Sequence, residues 1–115
     1  MRIGIIGYGK MGKAIEKIAK ERGHVITAKV DVSNRNELHS KEFLNSDVAI
    51  EFTRPESALE NILHCCRSKV PVVVGTTGWL DHIDKVRDEC KLNDSAVFYA
   101  SNYSIGMNIT FALNE

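Results

Sequence analysis

Three glycines, Gly7, Gly9 and Gly12, are spaced G-x-G-x-x-G within the stretch GIIGYGKMGKAI, with Tyr8, Lys10 and Met11 between them. At this spacing Gly7 permits a tight turn, Gly9 lets the backbone approach a pyrophosphate, and Gly12 lets a helix pack closely on a strand. A helix opened by such a loop offers unpaired N–H groups and the positive end of its dipole to phosphate oxygens. Asp31 follows about 19 residues after Gly12, where an acidic side chain can accept hydrogen bonds from both hydroxyls of a ribose. It also disfavours a ribose 2′-phosphate, because two negative groups would meet. Lys10 and Arg35 can offset that repulsion. NAD(H) is therefore the first expectation, and NADP(H) remains open.

The loop does this only between a strand and a helix, and the surrounding pattern supplies both. Short β-branched runs predict strands at 2–6, 25–31, 47–52, 70–75 and 95–100. Met11, Ala14, Ile15, Ile18 and Ala19 recur at three and four residues, giving a helix with one apolar face that Gly23 ends. A second stripe, Ala58, Leu59, Ile62, Leu63 and Cys66, is started by Pro55 and Glu56, which suit a first helical turn. Leu80, Ile83, Val86 and Cys90 make a third. Residues 32–46 are polar and weakly patterned, yet long enough for a crossover. Alternating strand and helix predicts an α/β fold: a Rossmann-like, doubly wound parallel sheet of about five strands with helices on both faces, in one domain over 1–115.

Ligands of open α/β sheets lie beyond the carboxyl ends of the strands. The segments there are EFTRPE after the third strand, GTTGW after the fourth and ASNYSIGMN after the fifth. Gly75 and Gly78 bracket two threonines in a loop where backbone can approach a flat ring and Thr76 or Thr77 can hydrogen-bond it. Asn102 can donate to and accept from a carboxamide, and Phe52 and Tyr103 can supply apolar walls. Trp79, directly after GTTG, is expected near a bound nucleotide. Threonine and asparagine also serve simply to turn chains, but three such loops on one rim point to a site.

GYGKMG, EFTRPE, VVVGTTGW and SNYSIGMN occur in the order and approximate spacing of the 4-hydroxy-tetrahydrodipicolinate reductases, or dihydrodipicolinate reductases, of the lysine and diaminopimelate pathway, which the chain resembles from Arg2 to about Asn108. The resemblance implies that the loop Gly7, Tyr8, Gly9, Lys10, Met11, Gly12 binds the pyrophosphate and Asp31 the adenosine ribose. It places Phe52 and Thr53 beside the cofactor, Gly75, Thr76 and Thr77 at the nicotinamide end, and Ala100, Ser101, Asn102 and Tyr103 around its pocket. The glycine loop is one residue shorter than in some relatives, and Tyr103 and Ser101 replace residues often Phe and Ala, departures that bear on cofactor preference. The family's histidine-rich motif with a lysine, which supplies an acid and grips a small dicarboxylate, has no counterpart here. The expectation is thus a cofactor domain without its substrate and catalytic domain, holding no catalytic residue of its own. It should bind NAD(H) or NADP(H) without catalysing, as a monomer, whereas the full-length enzyme is a homo-oligomer. The alternatives are a stand-alone nucleotide-sensing or interaction module, and the cofactor domain of another Rossmann reductase.

Composition narrows the partners. Fifteen basic residues balance fifteen acidic ones with no run of like charge, which argues against nucleic acid and anionic membranes. The apolar runs are far short of a membrane span, and no signal peptide precedes the first strand, so a cytoplasmic location is expected. Cys65, Cys66 and Cys90 lack a Cys-x-x-Cys spacing, and with the scattered histidines they read as reduced thiols and not as a metal site.

Overall fold

The structure, a computed structural model, describes residues 1–99 and 111–112. In chain order its elements are β1 (Arg2–Ile6), α1 (Lys10–Glu21), β2 (Val25–Val30), a 3-10 segment (Val32–His39), α2 (Lys41–Leu44), β3 (Val48–Glu51), α3 (Pro55–Arg67), β4 (Val72–Val74), a 3-10 turn (Leu80–His82), α4 (Ile83–Leu92), β5 (Val97–Tyr99) and β6 (Phe111–Ala112). Strands β2-β1-β3-β4-β5 lie in that order and are all parallel. The two-residue β6 adds an antiparallel edge on β5. Parallel neighbours need a crossover between them, and the helical segments provide it.

Register divides the core in two. Ile5, Ile50, Val73 and Phe98 are paired across the sheet and share one face; Gly4, Ala49, Val72 and Val97 share the other. On the first face Ile3 and Ile5 pack with Ala19 of α1 and the flanking Ile15, Ile26, Val48 and Ile50. On the second, Ile6, Val30, Ala49, Val72 and Val74 meet Phe43, Ile62, Val86 and Cys90 from α2, α3 and α4. Helices therefore lie on both faces, unequally.

The buried side of α1 is rotated from the expected apolar face. Gly12, Glu16 and Ala19 are buried, with Ile15 half-buried, while Met11, Ala14 and Ile18 face outward. Gly12 must meet the strand, and helical spacing then carries Glu16 and Ala19 to the same side. In the third stripe Leu80 is exposed and falls before α4, whereas Val86 and Cys90 are buried.

The polar crossover is held at two apolar points, Leu38 and Phe43, both buried. The ring nitrogen Nε2 of His64 on α3 donates to the Leu38 carbonyl at 2.7 Å, and Ser40 caps α2 by accepting the Phe43 N–H at 3.1 Å. Cys65, Cys66 and Cys90 are buried free thiols. Burial pushes all three up, Cys66 to about 12, so they behave as inert core residues.

Candidate functional site

At the carboxyl edge of β1, β2 and β3 the chain leaves a cleft of about 550 Å³. Its floor and walls come from Ile6, Gly7, Tyr8 and Gly9 after β1, from Val30, Asp31, Val32 and Arg35 after β2, and from Phe52, Thr53, Arg54, Glu56 and Ser57 after β3. Strand order explains the meeting: β1 lies between β2 and β3, so the glycine loop sits centrally with an acidic residue on one side and the EFTRPE segment on the other.

Each glycine of the loop answers a different constraint. Gly7 has φ +99°, and a Cβ there would lie 1.9 Å from the Phe52 carbonyl oxygen. A Cβ on Gly12 would lie 2.2 Å from the Gly7 carbonyl oxygen, so close packing of α1 against the loop requires glycine. At Gly9 a Cβ would meet nothing within 4 Å. This residue is the N-cap of α1, which has no side-chain cap and no acidic residue in its first turn, leaving N–H groups toward the cleft. Lys10 and Met11, in that first turn, are exposed and do not line the cleft.

Tyr8 lines the cleft, but its hydroxyl is turned to α1, where it donates to Glu16 Oε1. Lys20 Nζ at 3.1 Å and Lys29 Nζ at 3.2 Å approach Glu16 Oε2, and Lys29 lies 5.0 Å from the centre of the Tyr8 ring. The Tyr8 hydrogen bond, with those from the two lysines, pulls the Glu16 carboxyl down to about 2, and the same bond to Glu16 pushes the Tyr8 phenol up. Nothing in the apolar pattern of α1 marks Glu16 for this place. It anchors the glycine loop from beneath.

Asp31 follows β2 and caps the 3-10 segment. Its Oδ1 accepts the Val32 N–H at 2.9 Å, and its own N–H donates to Asn34 Oδ1 at 2.5 Å, which makes a capping box. A carboxylate has about four acceptor sites, so this cap leaves room for a ribose hydroxyl. Arg35 also lines the cleft, yet its guanidinium donates to Asn61 Oδ1 at 3.1 Å and lies 3.8 Å from Glu60. It is thus partly committed to α3.

The GTT loop stands behind the cleft. A Cβ on Gly75 would fall 1.8 Å from Phe52 Cε1, so the flat ring approaching this glycine is the chain's own. Thr76 is buried: its hydroxyl accepts the Thr53 N–H at 2.8 Å and donates to Glu51 Oε1 at 2.5 Å. Thr77 is exposed. Trp79 is buried instead of lining the cleft, edge-on to Tyr99 with ring centres 5.9 Å apart. Ala100, Ser101, Asn102 and Tyr103 lie outside the described residues.

Glu51 and Asn61 are wholly buried polar residues that sequence reading passed over. The one available signal was a polar residue inside an apolar pattern: Glu51 is paired with Ile6 and Val74, and Asn61 stands between Ala58 and Ile62.

A Rossmann-type fold with a glycine-rich turn, an acidic residue following β2 and a cleft between them defines a nucleotide-domain class of protein. Within that class the chain matches, over residues 1–103, the family described as "Dihydrodipicolinate reductase, N-terminus", and it belongs to that family, in which this is the NAD(P)H-binding domain. It is 48% identical over 115 residues to a 4-hydroxy-tetrahydrodipicolinate reductase of Christiangramia forsetii, covering 100% of this chain and 47% of the relative. To the protein of the same name from Neisseria meningitidis serogroup C it is 29% identical over 96 residues, 84% of this chain and 35% of the relative. A solved structure described as dipicolinate-bound dihydrodipicolinate reductase from Paenisporosarcina sp. TG-14 superposes with a TM-score of 0.70 at 26% identity, over 92% of this chain and 49% of that one. The chain spans about half the length of these relatives or less. No helix among the described residues is long and apolar enough to cross a membrane.

Proposed function

We propose that residues 1–115 are the NAD(P)H-binding domain of a 4-hydroxy-tetrahydrodipicolinate reductase, and that residues outside this chain bind the small dicarboxylate and supply the acid. The observation that carries this reading is Gly9: open space above an uncapped helix N-terminus, flanked by Asp31 on one side and Thr53 on the other. Family membership and the half-length coverage of relatives support it. In this reading Gly7, Gly9 and the first turn of α1 hold the pyrophosphate and the Asp31 carboxylate accepts from the ribose. Tyr8 shapes the loop through Glu16. Phe52, Thr53 and the Gly75–Thr77 loop wall the nicotinamide end, which Ala100, Ser101, Asn102 and Tyr103 are proposed to close. When bound, a reduced nicotinamide dinucleotide supplies a hydride. The residues of this chain bind and orient it, and none is assigned as acid or base.

The preference proposed is NADH over NADPH, because Asp31 faces the ribose and Arg35 is held by Asn61. Calorimetric titration with both cofactors tests this. Saturable binding of NADH, tighter than NADPH, is expected; no binding to a folded sample would overturn the reading, and tighter NADPH would overturn the role given to Asp31. Because Trp79 is buried, calorimetry is a better first readout than contact quenching of its fluorescence.

A further inference from the structure

The last residue of β3, Glu51, buries a carboxylate completely without a cation in contact with it among the described residues. Burying such a group is costly unless hydrogen-bond donors replace the lost water. Three donors reach it: the Thr76 hydroxyl donates to Oε1 at 2.5 Å, while Asn61 Nδ2, at 3.1 Å, and the Thr53 hydroxyl donate to Oε2. They come from three elements, namely the loop after β4, helix α3 and the loop after β3. The Thr53 N–H donates to the Thr76 hydroxyl at 2.8 Å, which closes a ring through Glu51, Thr76 and Thr53.

The ring lies at one end of the site. With strands ordered β2-β1-β3-β4, Asp31 follows β2 and the phosphate-binding turn follows β1. The half of a dinucleotide beyond the pyrophosphate would therefore run toward β3 and β4, the side of the cleft that Thr53 of this ring lines. On the reading that the cleft binds a dinucleotide, we infer that Glu51 is the positioning residue for the nicotinamide half. It touches no ligand and acts by fixing Thr53 and the backbone of Thr76 and Thr77 to each other. Hydrogen bonds to a buried charge of fixed geometry hold two loops more firmly than the loops' own turns would.

The test compares NADH with ADP-ribose, which lacks the nicotinamide, by calorimetry on the unaltered chain, Glu51→Gln and Thr76→Val. The carboxamide of Glu51→Gln keeps the size but cannot accept from all three donors, and Thr76→Val removes the hydroxyl clasp while leaving Glu51 its other two. The unaltered chain is expected to bind NADH more tightly than ADP-ribose. Either variant should lower NADH affinity about tenfold, toward that of ADP-ribose, while ADP-ribose affinity stays within about twofold. Equal losses for both ligands, or no loss for NADH in a folded variant, would overturn the inference. So would equal affinities in the unaltered chain. If that chain binds neither ligand, the dinucleotide reading itself falls and takes this inference with it. Thr76→Val keeps the test decisive should Glu51→Gln fail to fold.

Discussion

A single methyl group separates the roles of two glycines in the loop. At Gly12 it would collide with the Gly7 carbonyl, so Gly12→Ala is expected to destabilise the fold by about 1–3 kcal/mol, read as a lower urea midpoint. At Gly9, where φ is −90°, alanine has room and an ordinary conformation, so Gly9→Ala should change stability by less than about 1 kcal/mol. Its methyl group would still project into the space where a pyrophosphate must approach, and NADH affinity should drop sharply. If Gly9→Ala bound NADH normally, the loop would be a turn and not a cradle. At this scale the glycine turn and the place of Asp31 beside it were readable because both depend on local sequence. Glu51, Asn61 and Glu16 were not, because whether a polar side chain is buried among donors depends on strand register and on partners up to 25 residues away.

At the level of elements, three helices end alike. After α1 the N–H of Gly23 reaches the Lys20 carbonyl and that of His24 the Ala19 carbonyl. After α3, Lys69 reaches Cys66 and Val70 reaches Cys65; after α4, Asp94 reaches Lys91 and Ser95 reaches Cys90. This is the Schellman arrangement, which needs a left-handed residue just past the helix. Gly23 takes it with φ 84°, but Lys69 and Asp94 take it with φ 59° and 52°. Lys69→Gly and Asp94→Gly should each stabilise the domain by about 0.5–1 kcal/mol, visible as higher urea midpoints. Unchanged or lowered midpoints would show that the side chains compensate the strain. The sequence announced only the first of these ends, since nothing in the types of Lys69 or Asp94 marks a positive φ. It placed the five parallel strands and the helices α1, α3 and α4 within a few residues, because their apolar spacing is strong, and it did not place α2 or β6, which are too short to carry a pattern. It misjudged the inward side of α1, because Gly12 and Glu16 are buried there for reasons hydropathy does not carry.

For the molecule as a whole, three carboxylates tie distant parts together, and their protonation is expected to weaken the fold in acid. Glu16 joins α1 to β2 and the glycine loop, Asp47 holds Arg2 at the start of β1, and Glu89 on α4 pairs with Arg67 on α3. Each is held below its ordinary range. The main causes are the Tyr8 hydroxyl for Glu16, the Arg2 N–H for Asp47 and the Arg67 guanidinium for Glu89. A carboxyl that is more acidic folded than unfolded contributes fully above its unfolded pKa, and the contribution is lost as pH falls through the folded value. For Glu16 that window runs from 4.5 down to about 2. Glu16→Gln should therefore lower the urea midpoint at neutral pH and flatten its decline between about pH 5 and pH 2. A variant that kept the same slope would remove Glu16 from this role.

The close approach of Gly7 to the Phe52 carbonyl, with the Phe52 N–H donating to the Ile6 carbonyl at 2.8 Å, also makes the shape of the glycine turn depend on a residue far along the chain. β1 comes before β3 in the chain, yet it belongs in the middle of the sheet and has its second neighbour only once β3 pairs with it. Without Phe52 the glycine turn keeps its bonds to β2 and α1 but has an open side toward β3. A chain cut before Phe52 would keep the complete glycine motif and lose the carbonyl that Gly7 packs against, so the motif by itself does not define the turn.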